Sequence, residues 1–142
     1  MLNNKGQSLI LFVIVLPVVL FVLVLVIDIG KVLVLRQELN NISEIVLDYG
    51  LDKLDMGDNT SSDIDDSNYN LEDELIEVIK LNKSDIDKID VRIDNDRIYV
   101  DLSKGEEGIF SSLVDISMFN VKSSYVGYFD NNKKRIERVR GD

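Results

Sequence analysis

No cysteine, histidine, tryptophan or alanine occurs among the 142 residues, and the single proline is Pro17. Without cysteine there is no disulfide framework and no thiolate nucleophile, and cysteine usage says nothing about the redox compartment. Without histidine as well, the usual zinc ligand sets and the Ser-His and Cys-His catalytic pairs are excluded. Carboxylate, lysine or serine chemistry is what remains for an enzyme. A glycine-rich phosphate loop is also missing, because Gly105 and Gly108 are not followed by the Lys-Ser/Thr ending that such a loop requires. Acid is absent from the first 27 positions, and all 26 acidic residues lie at or after Asp28.

What fills that acid-free stretch is an apolar run. Gly6 to Ile27 reads GQSLILFVIVLPVVLFVLVLVI, 22 positions without a charge, starting just after Lys5. As a helix it rises about 33 Å, which matches the hydrocarbon core of a bilayer. A secretory signal has a shorter apolar run, of about 7–15 residues, and a small-x-small cleavage site. Here the run is long and leads into Asp28-Ile29-Gly30-Lys31. It is expected to stay in the mature protein as a single membrane-spanning helix.

From Asp28 onward, 15 basic residues stand against 26 acidic ones, a net charge of −11. Such a domain is soluble and is repelled by anionic lipid and nucleic acid. The basic groups Lys133-Lys134-Arg135 and Arg138-Val139-Arg140 read better as the solvated face of a final strand than as a nucleic-acid surface. Orientation is unsettled by charge, since Lys5 and the amino terminus face Lys31 and Arg36 across the span.

Helical periodicity does not stop at the membrane boundary. Val32, Leu35, Leu39, Ile42, Val46 and Tyr49 recur at alternating steps of three and four, which makes an apolar stripe on a polar helix. Joined to the run, this predicts one helix from Ser8 to Leu54, about 70 Å long, locally kinked at Pro17. The stripe has two readings of equal standing: packing against the protein's own domain, or a seam against partner helices. Asp28 is expected at the interface, where a charge costs little, with a salt bridge to Lys31 or to a neighbouring subunit as its functional alternative.

Residues 55–70 are acidic, rich in Ser and Asn and aperiodic, as in a linker. Their aspartates do not follow the calcium-loop pattern, so no metal site is expected. Asn70 is placed to cap a helix running from Leu71 to Leu81, with Leu71, Leu75, Val78 and Ile79 on its buried face. Ile89, Val91 and Ile93, then Ile98, Val100 and Leu102, alternate around Asp94-Asn95-Asp96 as a β-hairpin. A charged loop follows at 104–108, then a short helix or turn over Ile109–Val114. A strand from Phe119 to Phe129 carries Phe119, Val121, Ser123 and Tyr125 on one face. Asp130-Asn131-Asn132 turns into a last strand from Lys133 to Arg140. The fold class is α+β: residues 71–142 form a small domain with one helix on three or four antiparallel strands, carried on the long N-terminal helix. Asp85, Asp87, Asp90, Asp94, Asp96 and Asp101 flank apolar strand positions, so alternation puts them on the solvent face and not in a catalytic pocket. No enzyme, cofactor or metal is expected.

The N-terminus resembles a known family. The short polar leader, Lys5-Gly6-Gln7-Ser8-Leu9, Phe12, Leu16-Pro17 and the exit Ile27-Asp28-Ile29-Gly30-Lys31 are similar to TadE/TadG-like pseudopilins of tight-adherence (Flp) pilus systems. The resemblance covers about the first fifty residues. It implies a leader over residues 1–6, cut between Gly6 and Gln7 by a prepilin peptidase on the cytoplasmic face, and a span over residues 7–27. An amphipathic continuation over 28–54 and an extracytoplasmic domain would follow, in a pilin-like lollipop layout. It also implies packing through Pro17, Asp28, Gly30, Val32, Leu35, Leu39, Ile42, Val46 and Tyr49 against other pilin-like or platform membrane proteins. Two positions depart from the family. Leu11 stands where a glutamate is expected five residues after the glycine, and the usually Ala-rich stretch is here Asn40-Asn41-Ile42-Ser43-Glu44-Ile45-Val46. The alternative is an uncleaved, single-pass membrane-anchored protein whose outer domain binds a partner.

Overall fold

The computed structural model describes residues 4–57, 64–109 and 119–139. Two helices precede a four-stranded sheet: α1 (Asn4–Gly57), α2 (Ile64–Asn82), β1 (Lys88–Asp94), β2 (Arg97–Glu106), β3 (Phe119–Asp130) and β4 (Lys133–Arg138). The architecture is α+β, with the strands in sequential order β1-β2-β3-β4 as an open meander. α1 runs through Pro17 as one helix. α2 begins well before the expected cap, so Asn70 lies inside it. The expected helix or turn over Ile109–Val114 and the final Arg140 lie largely outside the described residues.

The chain forms two compact units. One contains residues 1–33 and 106–119, and the other contains residues 34–105 and 120–142. In the second unit, sequence alternation sets the sheet's two faces. Register pairs Ile89 with Leu102, Val91 with Val100 and Ile93 with Ile98, so these six side chains share one face. On that face Val91, Ile98, Val100, Leu102, Val121 and Tyr125 are buried. α1 covers it with Leu35, Leu39, Ile42, Val46, Leu47 and Leu51, and α2 adds Leu75 and Ile79, while Leu71 and Val78 are half-buried. Each such aliphatic side chain contributes on the order of 1.5–3 kcal/mol on burial. Gly50 marks the closest approach. A Cβ there would sit 2.7 Å from Ile98 Cδ1 and 3.2 Å from Leu75 Cδ1, so glycine lets α1, β2 and α2 meet.

A polar cluster crosses the same interface. Ser43 donates to the Leu39 carbonyl at 3.0 Å and lies 3.1 Å from the Ser123 hydroxyl, which donates to Asn40 Oδ1 at 3.0 Å. Both serines are fully buried, and each is satisfied within the cluster. At the sheet edge, Glu72 of α2 accepts the Ile93 N–H at 2.8 Å, which gives an edge-strand donor a partner. Asn131 and Asn132 both adopt positive φ, as a two-residue type I′ hairpin between β3 and β4 requires.

Candidate functional site

The apolar stretch of α1 stays open on all sides of the helix. Leu9 to Leu16 and Val18 to Leu23 are exposed without interruption, as is Pro17. Soluble folds do not leave such a surface to water, and among the described residues this is the one helix long and apolar enough to cross a membrane. Its best 18-residue window reaches a mean hydropathy of 3.7. Leu11, at the position where a pilin-like chain would carry glutamate, belongs to this exposed surface.

The other packing candidates separate into two groups. Leu35, Leu39, Ile42 and Val46 are buried within the chain's own second unit, and Tyr49 is half-buried there, with its hydroxyl donating to Glu74. This part of the stripe therefore covers the protein's own sheet. Gly30 and Val32, in the first unit, are half-buried, and a Cβ on Gly30 would meet nothing within 4 Å. Gly6 and Gln7 lie within α1.

Asp28 is the position the sequence placed least well. It is 2 % exposed, and its Oδ1 accepts the Ile109 N–H at 2.8 Å, 81 residues along the chain. No spacing rule links these two positions, so sequence reasoning missed Ile109 and Gly108 altogether.

The acidic positions singled out for possible chemistry are spread out and largely ion-paired. Asp85 meets Lys104 and Lys83, and Asp87 accepts the Gly105 N–H at 2.7 Å. Asp90 and Asp101 sit directly opposite each other across β1 and β2, a repulsive pairing that Arg92 offsets by reaching both, at 3.6 and 3.3 Å. Asp94 accepts from Asn95, and Asp96 lies exposed in the turn. Among the described residues, no three acidic groups gather as a metal cluster. Hydrogen bonding from Tyr49, then Lys53, holds the Glu74 carboxyl below its usual range, and Lys104 does the same to Asp85. Asp48 and Asp52 raise Lys134, and Glu38 raises Lys83. These are surface ion pairs that tie elements together.

With the open apolar helix and its Asp28 exit in place, comparison with known proteins is informative. The family model for TadE-like proteins matches residues 6–44. That stretch of α1 is similar to TadE-like proteins. The match begins at Gly6 and takes in the whole apolar run, Pro17, the Asp28-Ile29-Gly30-Lys31 exit and the first buried turns over Leu35, Leu39 and Ile42. No curated protein and no solved structure matches the chain.

Proposed function

We propose that the protein is a TadE-like minor pseudopilin, a structural component of a Flp-type pilus or secretion assembly that acts by helix packing. The observation that carries this reading is the coincidence of the family match with an apolar helix surface that the chain itself leaves uncovered. Because Leu35 to Val46 are engaged with the protein's own sheet, the surface offered to neighbouring membrane helices lies before Asp28, and Leu11 and Pro17 are part of it. The partners are the bilayer and other pilin-like or platform membrane proteins, and a prepilin peptidase would act on Gly6-Gln7. The N-terminus is cytoplasmic and the C-terminal domain extracytoplasmic.

Mass spectrometry of the native N-terminus tests processing. A chain beginning at Gln7 supports it, and a chain that still begins at Met1 shows that the peptidase does not use this site. Orientation is checked with Lys122→Cys, because the chain has no native cysteine. A membrane-impermeant maleimide should label intact cells at that position, and labelling only after lysis would reverse the topology.

Leu11 favours the second reading, an uncleaved single-pass anchor for an outer binding domain. In pilin-like proteins the carboxylate at that position is thought to meet a neighbour's new amino terminus, and leucine offers it nothing. Gene neighbourhood separates the two readings. A pseudopilin gene lies beside a secretion ATPase, a prepilin peptidase and platform membrane proteins.

A further inference from the structure

The burial of Asp28 stands out because its neighbours on α1 are open. Val26, Ile27, Ile29 and Leu33 are all exposed, while the carboxylate between them is 2 % exposed. The chain just after β2 contributes to its cover. The Ile109 N–H donates to Asp28 Oδ1 at 2.8 Å. Gly108 is buried against the same carboxylate, where a Cβ would lie 2.6 Å from Oδ2 and 3.3 Å from Phe119 Cε2. Its φ is not in the left-handed region, so glycine serves close approach here and not an unusual backbone. The apolar side chains beside this contact remain partly open, with Ile109 43 % and Phe119 41 % exposed. All of these residues belong to the unit that contains the apolar helix.

We propose that the Asp28 carboxylate and the 108–109 backbone form a polar clamp that seats Ile109 and Phe119 in the boundary between lipid headgroups and acyl chains beside α1. This rests on the reading that α1 crosses the bilayer. A carboxylate near membrane depth and a backbone N–H facing lipid each require a partner, and here each supplies the other's. With this polar pair closed on itself, Ile109 and Phe119 add exposed apolar side chains beside it. They belong to the same unit as the exposed Val26, Ile27, Ile29 and Leu33, which flank Asp28 on the helix that crosses the bilayer, so lipid is the occupant proposed. Glu106 and Glu107, next in sequence, disfavour anionic lipid and point to a zwitterionic membrane surface.

The test uses single spin labels in the full chain, reconstituted in phosphatidylcholine nanodiscs, through Ile109→Cys, Phe119→Cys, Val15→Cys and Lys122→Cys. Ile109→Cys keeps the backbone N–H that Asp28 accepts. Labels at 109 and 119 should respond to dissolved oxygen over a water-soluble nickel chelate several-fold more than the label at 122, and less than the label at 15. If 109 and 119 read as aqueous as 122 while 15 reads hydrocarbon, the interfacial seat is wrong and the membrane anchor stands. An aqueous reading at 15 overturns both. Shielding from both reagents at 109 and 119 means a protein contact, which also overturns the proposal. Adding Gly108→Ala should shift the label at 109 toward nickel accessibility, and no shift would mean that the clamp does not hold the segment.

Discussion

At the scale of single residues, the second unit is specified by contacts whose cost is out of proportion to their size. Ser43 and Ser123 have two hydroxyl hydrogens between them, shared among three acceptor contacts: the Leu39 carbonyl, Asn40 Oδ1 and one another. Ser123→Ala removes the donor to Asn40 Oδ1 and the hydroxyl beside Ser43, and should cost about 1–3 kcal/mol. Ser43→Ala together with Ser123→Ala should cost less than the sum of the two, because the contact between the hydroxyls is lost already with the first change. Thermal melts of the four proteins of the cycle measure this, and simple additivity would show that the hydroxyls do not act as a unit. Asn132 carries a second residue-scale requirement, a φ of 58°. Asn132→Gly should leave stability unchanged or raise it slightly, whereas Asn132→Val should cost about 1–2 kcal/mol, since a β-branched side chain resists the left-handed region. Equal melting points for the two variants would contradict the turn geometry.

At the scale of elements, α1 performs two tasks along one helix. Its first half is apolar on all sides, and its second half buries only one face. Leu39→Ala and Val46→Ala each remove side chains with no solvent exposure, and the leucine change should cost about 2–5 kcal/mol. Ile45→Ala, on the exposed side of the same turns, should fall within about 0.5 kcal/mol. Denaturation of the three variants in detergent micelles decides the matter. Similar losses at 39 and 45 would mean that the helix uses both faces. The stripe was legible in the sequence because a period near 3.6 residues fixes which positions share a face. What covered it was not legible, since a partner helix and the protein's own sheet ask for the same leucines. The strands were legible because Ile89, Val91 and Ile93 alternate without exception. The start of α2 was not, because an Asp- and Ser-rich stretch suits a linker and a helix N-terminus alike.

At the scale of the whole molecule, charge sets the pH response. Glu74 and Asp85 are held below the usual carboxylate range, so their pairs favour the folded state at neutral pH, and that contribution fades as pH falls through their lowered values. Lys83 and Lys134 are raised, so their contribution is complete below the ordinary lysine value and fades as pH climbs through their raised values. Melting temperature should therefore be level through neutrality and decline at both extremes. All four groups are at the surface, so each decline is modest and is weakened further by salt. A melting temperature that rises on acidification below about pH 4 would contradict the assignment of the acidic pairs.

The sequence by itself determined that the chain carries one helix long and apolar enough to cross a membrane, and what kinds of element it builds. A charge-free run of bilayer length and a strict two-residue alternation are local patterns, and each can be read without knowing what surrounds it. Only the tertiary structure decided which side chains meet across long stretches of chain: Asp28 with the Ile109 amide, Ser43 with Ser123, and the α1 stripe with β2 and β3. Periodicity fixes the direction in which a side chain points, whereas its partner is set by how the chain returns, and no local spacing encodes a return across 80 residues.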